Sequence, residues 1–245
     1  MNLSKKQYVN LLPAAIFCAA VLGIHPVSSA AQDISEISST LPGTDLDLTI
    51  KYFNRELTPE GVLRESSYEE SMLRRSGHVW SYRILPGKTV ANGTTHPNHE
   101  HKDFNYIVLP RHVKFDSNKV SVEFINTHDR QVINIVPTEY ENVNFDGSLL
   151  NTYYLIDPKI VVAMPVSQRP SSAAHARWHE VTKNGLFQRV LWDEKLLIPL
   201  VIETGDQKNT FFQRITVSPN PGLTKDLPWN HLQGYAQKEY SDFLD

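Results

Sequence analysis

The sequence predicts a mainly β protein, built on a single antiparallel curved sheet or half-barrel with a short helical insertion. Three observations support this fold class. Apolar and polar residues alternate along several segments, and in residues 46–52 Leu46, Leu48 and Ile50 share one face. β-branched and aromatic residues dominate these segments. Turn residues separate them, and no repeat of fixed period occurs, which makes propellers and solenoids unlikely.

About nine strands follow one another along the chain. The opening meander covers residues 46–52, 62–75 and 78–85, with turns at Thr58-Pro-Glu-Gly61 and Ser76-Gly77. Further strands are predicted over residues 104–109, 119–126, 131–137, 186–192, 199–204 and 210–217. Residues 138–170 lack this alternation and are predicted to form short helices, one capped by Ser148 and one beginning at Asp157-Pro158.

The predicted organisation has four parts. They are a signal peptide over residues 1–30, a flexible lead-in over 31–43, a β-rich half-barrel domain over 44–218 that includes the 138–170 helical insertion, and a polar C-terminal tail over 219–245. Lys5 and Lys6 precede an apolar run, and small residues lead up to Ala30, so we expect cleavage near Ala30 and a periplasmic or secreted protein. The mature chain is expected to have no transmembrane segment, because no second long apolar stretch follows.

Composition excludes several functional classes. The 245 residues include 24 Lys and Arg against 27 Asp and Glu, so the net charge of −3 offers no basic footprint for nucleic acid. The one cysteine, Cys18, lies in the leader, which excludes disulfide scaffolds, cysteine-based zinc sites and thiol catalysis. Nucleophile elbows and dinucleotide fingerprints are absent from the sequence. We therefore predict no catalytic residues and a protein that is not an enzyme.

Histidines form the one cluster that suggests chemistry. Three of them, His96, His99 and His101, lie within a short polar loop, and imidazole is a good ligand for copper or zinc. The alternative is a solvated loop that is merely rich in histidine. His175 and His179 would chelate one ion on a helix, whereas on a strand, which the sequence favours here, they lie too far apart.

The remaining strand histidines, His78, His112 and His128, are predicted to be isolated structural residues.

Aromatic residues give the candidate ligand-binding set. This set is Trp80, Tyr82, Tyr106, Tyr140, Tyr153 and Trp192. A carrier would use such residues to line an apolar cavity of several hundred Å³ under the insertion. The alternative is that they fill the core of a twisted sheet.

The opening meander and the stretch Val190-Leu-Trp-Asp-Glu-Lys-Leu-Leu-Ile-Pro-Leu-Val-Ile-Glu203 resemble periplasmic lipoprotein carriers of the localisation-factor type (LolA/LolB-like). In that family a strand ends near an Asp, and a Pro-Leu step begins the next strand. The resemblance implies a half-barrel closed by helices over an apolar cavity, without catalytic residues.

Three functional hypotheses follow. The first is an exported, non-catalytic binding or carrier protein that holds a small apolar or amphipathic ligand, or another exported protein, on a concave sheet. The second is a periplasmic copper or zinc protein that uses His96, His99 and His101. In the third, the tail over residues 219–245 docks to a membrane-bound or secreted complex. The sequence leaves the identity of the ligand open.

Overall fold

The structure is a computed structural model and describes residues 43–85, 104–116 and 119–243. Its main feature is one curved, unclosed sheet of eleven strands. The strands are β1 (Leu46–Leu57), β2 (Leu63–Arg75), β3 (His78–Ile84), β4 (Arg111–Asp116), β5 (Lys119–Asn126), β6 (Gln131–Ile135), β7 (Ala176–Lys183), β8 (Leu186–Asp193), β9 (Ile198–Asp206), β10 (Phe211–Pro219) and β11 (Ala236–Glu239). The helices are α1 (Leu149–Tyr154) and α2 (Pro158–Ala163), with 3-10 helices at Pro137–Val143, Pro228–His231 and Tyr240–Phe243. The mainly β, half-barrel fold class predicted from the sequence is confirmed.

The sheet consists of two meanders that meet at its centre. Strands β1 to β6 lie side by side in chain order, and so do β7 to β10. The pairing of β1 with β10, from Leu48 opposite Pro219 to Glu56 opposite Phe211, joins the two meanders. All pairs between these ten strands are antiparallel, while β11 adds to β6 in parallel. The connection from β6 to β7 therefore crosses from one side of the sheet to the other, and it contains α1 and α2.

The inner face of the sheet carries the main core. Leu48 and Ile50 of β1 alternate with polar residues and are almost completely buried. They belong to one cluster with Met72 of β2, and Tyr153 and Val161 of the two helices pack into the same cluster. Period-two alternation in the strand thus becomes a one-sided apolar layer, which the helical insertion covers.

The helices of the insertion begin where the sequence places their caps. The Ser148 side chain accepts a hydrogen bond from the backbone N–H of Asn151 at 3.1 Å and caps α1. Asp157 accepts from the backbone N–H of Lys159 at 2.8 Å, and Pro158 occupies the first position of α2.

The segment that follows β10 crosses the outer face, and its last residues, Tyr240 and Phe243, pack against the main core. We call residues 220–243 the C-terminal strap. Its backbone is anchored at Asp47, whose carboxylate accepts from the Thr224 N–H at 2.7 Å. Further along, Trp229 and Tyr235 pack on a second buried cluster that includes Trp80. The strap then forms β11 at the sheet edge.

One predicted strand is wrong, and two observed strands, β4 and β11, were not predicted. Residues 104–109 form a turn, because the Asn105 side chain accepts from the Ile107 N–H at 3.0 Å and the Asn105 carbonyl accepts from Val108 and Leu109. The strand begins after Pro110 instead, as β4. Its alternation was hidden because both faces of β4 carry charged or polar residues.

None of the helices in the described part of the chain has the length and apolar character needed to cross a membrane.

Candidate ligand-binding site

The candidate site lies where β3 ends beside the longer hairpin of β1 and β2. Pairing between β2 and β3 stops at Glu69 opposite Ile84. Strand β2 nevertheless extends to Leu63, paired with Leu57 of β1. The unequal strand lengths leave a step in the sheet, and two cavities adjoin at this step.

The larger cavity has a volume of about 610 Å³. Its lining combines apolar side chains with charged residues at the rim. The described lining residues are Lys51, Tyr52, Phe53, Ser67, Tyr68, Glu69, Arg83, Ile84, Leu85, Arg214 and Thr216. Lys51 and Glu69 form an exposed ion pair at 3.0 Å between neighbouring strands. The volume falls within the range of roughly 300 to 1,000 Å³ that is typical of small-molecule sites.

The smaller cavity, of about 80 Å³, lies on the inner face between β2, β3, β4 and the start of the insertion. Aromatic rings and charged side chains line it together. The described lining residues are Tyr68, Glu70, Ser81, Tyr82, Arg83, Tyr106, Ile107, Leu109, Arg111, Phe124, Val143 and Asn144. The register places Arg111 of β4 between Ser81 of β3 and Phe124 of β5.

Tyr68 and Arg83 line both cavities and therefore mark their junction at the end of β3, where the larger cavity lies on the outer face and the smaller one on the inner face. The Arg83 guanidinium carbon lies 3.8 Å from the centre of the Tyr68 ring. On its other side Tyr68 stacks on Tyr52, with ring centres 4.4 Å apart. The Nε atom of Arg83 is buried and has no hydrogen-bond partner among the described residues. The junction thus holds a cation whose hydrogen-bonding capacity is incompletely used.

Both stacked tyrosines are held as neutral phenols. Burial, with a smaller contribution from the Glu70 carboxylate, raises the pKa of Tyr68 to about 12. Burial also raises the pKa of Tyr52 well above its ordinary value, and the Tyr52 hydroxyl donates to Glu70 at 3.2 Å. These groups stay protonated at neutral pH and are suited to binding rather than to proton transfer.

The structure distributes the six aromatic residues predicted as ligand contacts over three environments. Tyr82 and Tyr106 line the smaller cavity. Trp80 is buried beneath the C-terminal strap on the outer face. Tyr153 and Trp192 are buried in the main core, and Tyr140 packs against its edge with its hydroxyl donating to the Val120 carbonyl at 3.1 Å.

The larger cavity is found at the step and not beneath α1 and α2, where the sequence analysis expected one. The inner sides of both helices are occupied by buried core residues, among them Tyr153, Tyr154 and Val161. The residues that sequence reasoning missed are Tyr68, Arg83 and Arg111. Their alternating positions on β2, β3 and β4 were visible, but the step that brings them together depends on strand lengths.

The predicted metal ligands His96, His99 and His101 lie outside the described residues, so copper or zinc binding stays a prediction. Within the described ranges, no group of three or more His, Cys, Asp or Glu side chains is placed to hold a metal ion. His179 lies on β7 and its Nδ1 is 3.1 Å from the Met164 carbonyl, while His175 precedes the strand. The preference for a strand is therefore confirmed at His179, while His175 lies one residue before β7.

A second polar group lies on the outer face and consists of His78, His112 and Glu123, which we call the imidazole chain. His78 Nδ1 lies 3.0 Å from His112 Nε2, and His112 Nδ1 lies 2.8 Å from Glu123 Oε1. Trp229 of the strap stacks on His78 with ring centres 5.0 Å apart. The prediction that His78 and His112 are isolated was wrong, because β3, β4 and β5 bring their side chains into register.

The imidazole chain borders neither of the two cavities. His112 and Glu123 are almost fully buried, and the strap covers them from outside. The Lys114 ammonium also contacts Glu123, at 2.5 Å. This arrangement fastens the strap to the sheet rather than presenting an acid–base group to a ligand.

Comparison with known proteins gives matches to solved structures only. No family model matches the chain, and no curated protein matches it. A structure of PNGF-II is similar at 12% identity and a TM-score of 0.37, covering 81% of this chain and 33% of that protein. The chain thus spans about a third of the length of PNGF-II.

Two further matches are to the family that the sequence resembles. A LolA-superfamily protein from Nitrosomonas europaea is 10% identical with a TM-score of 0.34, covering 78% of this chain and 91% of that one. A putative outer-membrane lipoprotein-sorting protein domain from Vibrio parahaemolyticus is 12% identical with a TM-score of 0.30, covering 76% and 91%. The open antiparallel half-barrel that this resemblance implies is observed directly in the present chain.

Proposed function

We propose that this chain is a non-catalytic binding protein that holds an amphipathic ligand at the step beside β3. The observation that carries the proposal is the pair of adjoining cavities that share Tyr68 and Arg83. The larger cavity is large enough for the apolar part of a small ligand. The smaller one offers charged and aromatic groups for a polar end.

The apolar part of the ligand would lie in the larger cavity against Phe53, Ile84 and Leu85. Ile84 is 38% exposed and offers apolar surface to a ligand in this cavity. Covering such surface removes apolar area from water and supplies the main driving force for binding.

The charged groups around the cavities support binding without catalysis. Glu69 is ion-paired with Lys51, and Glu70 accepts the hydroxyl of Tyr52. The raised pKa of Tyr68, about 12, keeps its phenol from acting as a base near neutral pH. The two carboxylates therefore make contacts within the protein, and the phenol stays protonated.

Titration with the neutral apolar dye N-phenyl-1-naphthylamine tests this function. We expect saturable binding with one dye per chain, and a loss of affinity of about tenfold or more in Ile84→Arg, because the new side chain fills and charges the larger cavity. Val162→Arg is the matched control, since Val162 is 76% exposed and lines neither cavity. Equal dye binding by the two variants would contradict the proposed site.

We also infer that the protein works after export, with the leader over residues 1–30 removed near Ala30. Support comes from the Lys5-Lys6 and apolar-run pattern of the sequence. Mass spectrometry of the full chain expressed in a Gram-negative host tests this. Recovery of an uncleaved chain from the cytoplasm would contradict it.

A further inference from the structure

Two arginines beside the smaller cavity have no acidic partner among the described residues. Arg83 and Arg111 both line the cavity, and neither lies within ion-pair distance of a carboxylate in that part of the chain. Ion pairs form at four other arginines of the sheet, Arg75, Arg177, Arg189 and Arg214, whereas Arg55, Arg64 and Arg74 have none among the described residues. Arg75 contacts Asp47 at 2.7 Å, and Arg189 contacts Glu180 at 2.9 Å.

The hydrogen bonds of Arg83 indicate which kind of ligand atom suits the smaller cavity. Its guanidinium carbon lies over the Tyr68 ring, and Arg83 also makes a side-chain hydrogen bond with Tyr68. The Nε atom is buried without a partner in the described residues. A buried donor without an acceptor is costly, so an oxygen-bearing ligand would stabilise this arginine.

Charge around the cavity specifies the ligand further. Arg83 and Arg111 supply two positive charges, and Glu70 supplies one negative charge to the same cavity. The sum is a single positive charge, which a monoanion neutralises. A doubly charged phosphate would leave one negative charge uncompensated beside Glu70.

Size limits what enters the smaller cavity. Its volume of about 80 Å³ has room for a headgroup and not for an acyl chain. The larger cavity lies on the outer face, and Tyr68 and Arg83 at the end of β3 line it as well, so a ligand reaches it by passing round the end of that strand. A ligand with a compact charged end and an apolar tail would therefore fill both cavities.

We propose that the ligand is an amphiphile with a carboxylate headgroup, which lies between Arg83 and Arg111 while its aliphatic tail occupies the larger cavity. This inference rests on the proposed binding function and names the ligand class. A guanidinium presents two parallel N–H donors that match the two oxygens of a carboxylate. The geometry therefore favours decanoate over decanol, which has the same chain length and no charge.

Calorimetric titration of the mature chain with decanoate, decanol and decyl phosphate tests the proposal. We expect decanoate to bind at least about tenfold more tightly than decanol, the size of effect typical of a charge-assisted hydrogen bond. Decyl phosphate, a dianion at pH 8, should bind more weakly than decanoate. Arg111→Gln and, separately, Arg83→Gln should each lower decanoate affinity to about the level of decanol.

Arg64→Gln is the matched control, because Arg64 is exposed near the hairpin tip and lines neither cavity. Equal affinity of the wild-type chain for decanoate and decanol would overturn the headgroup assignment and leave the binding function standing. Tighter binding of decyl phosphate would replace carboxylate by phosphate and also overturn it. Binding of none of the three amphiphiles, together with no dye binding, would remove the binding function itself. The comparison of the three amphiphiles on the wild-type chain does not depend on whether any variant folds.

Discussion

Arg74 shows how one side chain joins distant parts of this fold. It is completely buried, and its guanidinium donates to the carbonyls of Thr44 at 3.1 Å, Leu196 at 2.9 Å and Tyr153 at 3.4 Å. The guanidinium also lies 4.8 Å from the centre of the Tyr153 ring. Strand β2, helix α1 and the turn before β9 are therefore fixed to one another through a single residue.

Replacing this arginine should destabilise the whole chain. We expect Arg74→Met to lower the free energy of unfolding by about 3 kcal/mol, because several buried carbonyls lose their donor at once. Urea unfolding followed by circular dichroism measures the change. Arg64→Met, at an exposed position, should change stability by less than about 0.5 kcal/mol. A loss below about 1 kcal/mol in Arg74→Met would show that water or other donors replace the guanidinium.

The role of Arg74 could not be read from the sequence. A charged residue among Met72, Leu73 and Arg75 looks like an ordinary polar position on a strand. Its acceptors belong to residues that are 30 to 123 positions away in the chain. By contrast, the caps Ser148 and Asp157 were predicted correctly, because a cap acts within three residues of itself.

At the scale of elements, the imidazole chain holds the C-terminal strap against β3, β4 and β5. Burial, followed by the positive charges of His112 and Lys114, lowers the pKa of His78 below its ordinary value of 6.5. Burial by itself would raise the pKa of Glu123, but hydrogen bonds from His112 and Lys114 outweigh it and the pKa is lowered. The folded state thus favours a neutral His78 beside an ionised Glu123.

These shifts predict that acid weakens the strap. Below pH 6.5 the unfolded chain binds a proton at His78 more readily than the folded chain does, so stability falls as the pH falls through this range. The contribution of Glu123 is present above its ordinary pKa of 4.5 and is lost at still lower pH. A proton on His78 Nδ1 would also remove the acceptor that an N–H at His112 Nε2 needs across the 3.0 Å contact.

Other charged groups lie near the imidazole chain. They are Arg75 on β2, Asp116 on β4, and the His231–Asp226 pair of the strap.

His78→Gln tests the strap prediction. Glutamine keeps a hydrogen-bond donor but does not titrate, so the fall in unfolding free energy between pH 6.5 and 5 should become shallower than in the wild type. His128→Gln, whose imidazole is 70% exposed on the β5–β6 turn, is the control and should keep the wild-type slope. Chemical denaturation at several pH values, followed by circular dichroism, gives both curves. An unchanged slope in His78→Gln would contradict the assignment.

Elements were predictable where one face of a strand is apolar. Strand β5 was predicted with its observed bounds, and β1 was predicted to begin at its observed first residue, Leu46, although it extends five residues beyond the predicted end. Strand β4 was missed, because its outer face carries His112 and Lys114, whose burial or pairing depends on neighbouring strands. The strap was missed as a packed element, because its contacts with the outer face are made by Trp229, Leu232 and Tyr235, whose spacing of three residues is not the period-two alternation of a strand.

At the scale of the whole molecule, the half-barrel follows from two meanders joined at β1 and β10, with the helices of the crossover covering the inner face. The sequence predicts the antiparallel sheet and the helical insertion, since both depend on local patterns. The sequence does not predict where the two cavities form. The cavities lie where β2, with 13 residues, extends beyond β3, with 7 residues. The position of this step depends on the register of the two strands, which the sequence does not give.

The most direct test of the central claim is a crystal structure of the mature chain grown with decanoate. We predict ligand density at the end of β3, with the carboxylate within hydrogen-bond distance of Arg83 and the aliphatic chain against Phe53 and Ile84. Density for the ligand beneath α1 and α2, or on the strap, with the step left empty, would contradict the account.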